Sequence, residues 1–146
     1  MLVRSLFLSS LLLGASAGAQ TVRDPAAVVE ILGLRQAQVN ADADHDRGTV
    51  VTGILGTDVP VRIDMRRDDT LREITATTDR LFAIELIEPL IPAPVIAHAE
   101  WPKGSKLHSI DFERDRRIAL EGWLANGTGF DAVFRVDGTL LDLELD

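Results

Sequence analysis

The sequence predicts an α+β fold made of two repeats, each a helix followed by a four-stranded antiparallel meander. Three observations predict it. The chain matches itself at a shift of 69 residues, apolar and polar residues alternate over several short segments, and a helix signal precedes the first group of these segments. Apolar residues at every second position are typical of strands with one buried face.

The repeat is the strongest of these observations. Without a gap, the shift aligns Asp24–Thr77 with Ala93–Asp146 and gives ten identities in 54 positions. About three identities would be expected by chance from average composition. The alternating segment Val59–Met65 also keeps its parity in its counterpart, Thr128–Phe134. Because a slip of one residue turns every side chain to the opposite face, preserved parity indicates a shared fold.

Local signals define the elements of each repeat. Asp24 suits a helix N-cap, Pro25 suits the first helical position, and Gly33 is placed to end the first helix. In the second repeat, Pro94 and Pro102 bound a shorter candidate helix with a poorer apolar stripe. Strands are predicted at about 37–45, 49–56, 59–66, 71–76, 106–114, 118–125, 129–136 and 139–145.

Turn and linker signals account for the remaining segments. Asn126-Gly127 and Asp137-Gly138 are typical of two-residue hairpin turns. Thr78–Glu88 is predicted to form an additional helix, and Pro89–Pro94 an extended linker between the repeats. The expected organisation is a signal peptide at 1–19, repeat 1 at 20–78, a helical and proline-rich linker at 79–92 and repeat 2 at 93–146.

The first nineteen residues are expected to direct export rather than to join the fold. Arg4 lies in a short charged region, Leu6–Leu13 is largely apolar, and small residues follow as far as Ala19. This order is typical of a secretory signal; cleavage after Ala19 would start the mature chain at Gln20, and Ala17 ends the alternative site. The apolar stretch is too short to span a bilayer. We therefore expect a periplasmic or secreted bacterial protein without a membrane span after cleavage.

Composition excludes several classes of function. Of the 146 residues, 46% are hydrophobic and 26% are charged, which is typical of a folded globular chain. The formal net charge of −8 argues against nucleic-acid binding, which requires clustered Lys and Arg. The lack of cysteine excludes disulfides, thiolate metal sites and cysteine nucleophiles.

The sequence carries no catalytic pattern. Its histidines, His45, His98 and His108, have no His or Cys partner at the spacing of metal ligands. It also lacks a nucleophile elbow, an HExxH motif and a phosphate-binding loop. We therefore expect neither enzyme activity nor a cofactor.

Asp42, Asp44 and Asp46 are the candidate metal ligands. Their spacing resembles the start of a calcium loop, but the Gly and Glu of an EF-hand are missing at the sixth and twelfth positions. On a strand these carboxylates would lie about 6.6 Å apart, too far to chelate one ion together. The acidic spacing recurs at 111–115, as expected for the solvated face of a sheet.

Trp123, Ile54 and Glu121 are the candidate partner-binding residues. By the alternation of their strands, all three point away from the predicted core, and Trp is enriched at binding hot spots. The alternative is that the linker or the other repeat covers Trp123. Gly53 and Gly122 fall on the inward side, where we interpret them as allowing a helix to pack close to the sheet.

The second repeat resembles the PepSY domain. Ile118–Leu145 ends in the strand–turn–strand of these short bacterial secreted modules, with the sequence Asp-Gly-Thr-Leu-Leu-Asp-Leu-Glu-Leu at 137–145. The first repeat departs from the pattern, because Asp69 stands where the turn glycine would be. The tandem arrangement is also similar to the beta-lactamase inhibitor protein fold.

Both resemblances imply an exported binding or inhibitory module, and neither supplies catalytic residues. PepSY domains are associated with secreted peptidases and cell-envelope regulation. We therefore expect a protein or peptide partner in the cell envelope, restrained or regulated by this chain. The alternative is a weak divalent-cation or small-ligand binding protein.

Overall fold

Nine antiparallel strands form one sheet in the computed structural model, which describes residues 24–41 and 48–146. The strands are β1 (Arg35–Ala41), β2 (Thr49–Leu55), β3 (Val59–Met65), β4 (Leu71–Ala76), β5 (Phe82–Ala83), β6 (Lys106–Phe112), β7 (Arg117–Trp123), β8 (Gly129–Arg135) and β9 (Leu140–Leu145). The helical segments are α1 (Pro25–Leu32), two 3₁₀ segments (Ile84–Leu86 and Glu88–Leu90) and α2 (Ala93–Ile96). The order across the sheet is β1-β2-β3-β4-β6-β7-β8-β9, and β5 pairs with β6.

The predicted fold class, two repeats of a helix and a four-stranded meander, is wrong. The strands of the N-terminal half (24–76) and of the C-terminal half (93–146) belong to one continuous sheet, because β4 pairs with β6. The pairs at this seam are Glu73–Asp111, Ile74–Ile110 and Thr75–Ser109. Two separate sheets would each leave an additional edge with unpaired backbone groups, and joining those edges satisfies the groups.

Helical structure is also shorter than predicted. Residues 78–88, predicted as a helix, contain β5 and a 3₁₀ segment, and α2 has four residues. A helix turns one stripe of side chains toward a sheet, whereas this irregular backbone fully buries Phe82, Ile84 and Ile87 within six residues. The domain boundaries at 20–78, 79–92 and 93–146 stay a prediction, and the expected signal segment 1–19 lies outside the described residues.

Helix α1 forms where the sequence predicts it. Asp24 is the N-cap, and its Oδ1 accepts a hydrogen bond of 3.0 Å from the backbone N–H of Ala26. Gly33 ends the helix in the left-handed conformation at φ +60°, a backbone geometry that glycine adopts without strain. The inward face of α1 buries Val28 and Leu32 against the sheet.

The core occupies the face of the sheet that the helical segments cover. Buried side chains alternate along the strands, as predicted for one buried face. Fully buried members from the strands include Leu55, Ile63, Met65, Ile74, Leu107, Ile110, Ile118, Phe130 and Phe134. Trp101 packs on Phe134 with ring centroids 5.8 Å apart, and its Nε1 donates to Glu88 Oε1 at 3.1 Å. The buried side chains of both halves form one cluster, so the halves share one core.

The 69-residue relation persists in the hydrogen-bonded register of this sheet. Corresponding pairs are Gly53–Val61 and Gly122–Phe130, then Met65–Leu71 and Phe134–Leu140. The first strand of each half departs from it: Ile110 opposes Leu120, where a gap-free shift would place His108. Because two residues are one strand period, this shift keeps each side chain on its face.

The hairpin turns lie at the predicted positions but have three residues rather than two. In the β8–β9 hairpin, Arg135 N–H donates to Thr139 O at 2.8 Å, enclosing residues 136–138. Gly127 and Gly138 adopt positive φ angles of 86° and 96° at the ends of the two loops. Such three-residue loops are typically a type I turn followed by a left-handed residue.

The interpretation of Gly53 and Gly122 as contact points for a helix is wrong. Both lie beside the strand that is bulged in each half, and that strand's backbone is the close neighbour. A Cβ on Gly122 would lie 2.3 Å from Lys106 O, whereas a Cβ on Gly53 would lie 3.2 Å from Arg35 O. Glycine thus accommodates a bulge in the neighbouring strand.

Gly122→Ala is expected to destabilise the protein by about 1–3 kcal/mol, because the added methyl group meets a backbone carbonyl that cannot move without disturbing β6. Gly53→Ala is the matched control at the corresponding position and should cost clearly less. Urea unfolding of both variants measures the difference. Equal losses of stability would contradict the close contact at Gly122.

Candidate functional site

The face of the sheet opposite the core is polar and carries the predicted partner-binding residues; we call it the open face. Trp123 lies on it at the end of β7 and is 41% exposed. Glu121, two residues earlier, points to the same side and is also exposed. The alternative in which the linker or the other half covers Trp123 does not match this exposure.

A row of carboxylates crosses the open face beside Trp123. Glu121 on β7 opposes Asp131 on β8, and Asp131 opposes Glu144 on β9. All three residues are exposed. Like charges placed directly opposite each other destabilise a sheet, so this row lowers the stability of the folded protein. We call Glu121, Asp131 and Glu144 the carboxylate row.

Ile54 lies on the open face but not beside Trp123. The two residues sit on β2 and β7, four strand spacings apart, which corresponds to about 19 Å across the sheet. Ile54 lines a shallow depression together with Gln38, Thr52 and Pro60. The structure therefore brings Trp123 and Glu121 together and leaves Ile54 at a separate point of the same face.

A second group of acidic residues lies at the seam between the halves. Glu73 and Asp111 face each other on β4 and β6. Burial raises the pKa of Asp111 from its usual value of 3.8 to about 6, and the nearby carboxylates of Glu73 and Glu113 act in the same direction. Asp64, by contrast, is held by Arg62, whose Nη2 lies 2.8 Å from Asp64 Oδ1.

The candidate metal ligands Asp42, Asp44 and Asp46 lie outside the described residues. Within 24–41 and 48–146, no group of three or more His, Asp or Glu side chains is placed to hold a metal ion. In the second acidic segment, Glu113 and Asp115 both direct an oxygen at Arg117 Nε, at 2.8 and 2.6 Å. Their carboxylates converge on a guanidinium rather than on a shared cation position.

A cleft at one end of the sheet was not predicted from the sequence. The cleft has a volume of about 610 Å³ and lies between the β3–β4 turn and the β6–β7 turn. Its arginines are Arg66, Arg114, Arg116 and Arg117. The run Arg-Asp-Arg-Arg at 114–117 shows a local concentration of arginine in the sequence. Only the fold places this run opposite Arg66.

Comparisons with known proteins add little to this geometry. No protein-family model matches the chain, and no curated protein matches it significantly. Among solved structures, the chain is similar to a protein of unknown function from Bacteroides vulgatus, provisionally described as periplasmic. The identity is 17% and the TM-score 0.48, over 82% of this chain and 86% of that one. A structural likeness at this identity and TM-score does not indicate a function.

The described ranges contain no helix that is long and apolar enough to cross a bilayer.

Asp111→Asn is expected to raise the free energy of unfolding at about pH 8 and to leave it nearly unchanged at about pH 4. The folded-state pKa of Asp111 is raised, so ionisation favours the unfolded chain. The penalty is absent below the ordinary pKa of 3.8, grows with pH, and is complete above about 6.

Urea unfolding at both pH values measures this effect. Asp79→Asn, in an exposed bend outside the sheet, is the control for removal of one negative charge. A gain from Asp111→Asn that is the same at both pH values, or that Asp79→Asn reproduces, would contradict the assignment.

Proposed function

We propose that this protein is an exported binding module without catalytic activity, and that its open face holds a cationic segment of a protein partner. The observation that carries the proposal is Trp123, a large aromatic side chain 41% exposed beside the carboxylate row. An exposed Trp supplies contact area that a partner desolvates, which is why Trp is common at binding hot spots.

Charge determines which partner fits. The carboxylate row is a line of negative charges on a protein whose formal net charge is −8. Opposite charge on a partner would remove the repulsion within the row, so binding would recover the stability that the row costs. Lys106, the cross-strand neighbour of Trp123, limits the acidic surface on that side. A segment rich in Lys or Arg with one apolar side chain over Trp123 matches this arrangement.

The cell envelope is the proposed location. The order of charged, apolar and small residues at 1–19 supports export, and the resemblance of Ile118–Leu145 to PepSY domains supports a role among secreted proteins. Within that role, we propose that the chain inhibits or regulates a secreted peptidase or another envelope protein. The alternative function is that of a weak divalent-cation or small-ligand binding protein. Its cation part rests on Asp42, Asp44 and Asp46 and is favoured by no contact among the described residues.

Trp123→Ala is expected to abolish partner binding while leaving stability nearly unchanged, since an exposed side chain contributes little to the core. Ile31→Ala is the matched control, because Ile31 on α1 is 42% exposed and lies on the covered side of the sheet. Pull-down from an envelope extract, with the chain from Gln20 as bait, compares the unaltered protein with the Trp123→Ala and Ile31→Ala variants.

A defined peptide tests the chemistry directly. A Lys/Leu peptide should shift the fluorescence of Trp123 to shorter wavelength, and added salt should weaken the binding. A Glu/Leu peptide of equal length should have no effect. The proposal fails if both peptides bind alike, or if a captured partner is retained equally by Trp123→Ala and Ile31→Ala.

A further inference from the structure

We propose that the arginine cleft is a binding site for a small amphipathic anion, a carboxylate or phosphate group attached to an apolar body. The site is independent of the partner surface proposed above. The cleft lies at the Arg117 end of β7 and Trp123 lies at the other end, about 20 Å away along the strand.

The cleft forms where the two halves diverge beyond the seam. The ladder between β4 and β6 ends at Glu73–Asp111, and Arg66 takes the position that further pairing would fill. Its guanidinium donates to Leu71 O at 2.7 Å and also to Phe112 O. These bonds bridge the diverging strand ends and fix the guanidinium at the wall of the cleft.

Three of the four guanidinium groups keep their positive charge available. Arg117 is paired with Glu113 and Asp115. Arg66 bonds to neutral carbonyl and hydroxyl oxygens, and no carboxylate within 24–41 or 48–146 forms an ion pair with Arg66, Arg114 or Arg116. A concentration of positive charge on a strongly acidic protein favours an anionic ligand at that point.

The charges of the cleft also act on one another. The pKa of Arg66 is lowered by burial and by the neighbouring charge of Arg114. The negative charge of Asp68, which lines the same cleft, acts in the opposite direction on the pKa of Arg66 and offsets part of this effect. The Oδ1 atom of Asp68 accepts hydrogen bonds from Thr70 N and Oγ1 rather than from a guanidinium. A bound oxyanion would relieve the repulsion between the guanidinium groups.

Arg116 has a backbone conformation that glycine adopts more easily than arginine does. Its φ is +67° in the β6–β7 turn, the left-handed region that a long side chain adopts at a cost. Its carbonyl accepts a hydrogen bond from Val136 N at 3.0 Å, which places the β6–β7 turn against the β8–β9 loop. The turn thus fixes the backbone of Arg116 at the edge of the cleft that its side chain lines.

The interior of the cleft is apolar below the arginines. Leu71, Leu90 and Ile118 are buried, and Phe112 and Val136 are partly exposed in the cleft. A volume of about 610 Å³ lies within the range of small-molecule sites. Charged groups at the entrance and an apolar floor match a ligand with an oxyanion head and a hydrocarbon body, since guanidinium forks bind carboxylate and phosphate oxygens in pairs.

Titration of the purified protein with octanoate tests the proposal, with octan-1-ol, octylammonium and inorganic phosphate as the matched probes. Calorimetry should give saturable octanoate binding, at least about tenfold tighter than that of each other probe. Backbone NMR shifts should cluster at 66–71 and 112–118, and the indole N–H signal of Trp123 should stay in place.

The double variant Arg114→Gln/Arg116→Gln should weaken octanoate binding about tenfold or more, since two charge-assisted contacts are lost. Arg135→Gln, an exposed arginine on β8 outside the cleft, should leave it within about twofold. Thermal unfolding of each variant checks that it is folded, and both altered side chains in the double variant are exposed.

Several results would overturn the proposal. No saturable octanoate binding, equal binding of octan-1-ol, or equal weakening by Arg135→Gln would each do so. Equally tight binding of inorganic phosphate would reduce the site to an anion site without an apolar subsite. Retention on phosphatidylglycerol vesicles, or binding of a peptide carboxyl terminus, without octanoate binding would assign the cleft to a membrane surface or to a peptide instead.

Discussion

The β4–β6 ladder holds this protein together as one structure. Three residue pairs join strands that are far apart along the chain, and through them nine strands share one buried face. The ladder includes two facing carboxylates, Glu73 and Asp111, so the junction itself carries a repulsive pair. Its backbone hydrogen bonds and the packing of Ile74 and Ile110 outweigh that repulsion. The arginine cleft depends on this junction, because Arg66 and the run at 114–117 lie on opposite sides of it. The carboxylate row depends instead on the pairing of β7, β8 and β9.

Local patterns in the sequence predict the elements better than they predict how the elements associate. Helix α1 and the strand Val59–Met65 follow from capping residues and period-2 alternation, which are properties of short segments. The seam could not be predicted in this way, since an edge strand carries no signal for the strand it will meet. Residues 78–88 show the opposite difficulty. Their apolar spacing satisfies a helix pattern, yet burial on an existing sheet favours short turns.

The two candidate sites differ in how far the sequence predicts them. The outward direction of Trp123 follows from the parity of one strand, so it could be predicted from the sequence. The carboxylate row requires the register of three strands, and Glu121 alone does not predict that Asp131 and Glu144 align with it. The cleft requires more still. It combines the run at 114–117 with Arg66, whose bond to Phe112 O spans 46 residues of sequence.

The register relation between the halves has a consequence for association between molecules. At a shift of 69 residues, the outermost strands β9 and β1 correspond to the seam strands β4 and β6. Pairing β9 of one molecule with β1 of the next would therefore repeat the internal junction head to tail, an arrangement that does not close and leads to polymers. The bulge of β1 near Gln36, with its positive φ of 52°, and the acidic side chains of β9 both oppose such growth. These features of the two outer edges thus oppose the head-to-tail pairing that the correspondence between the halves would otherwise permit.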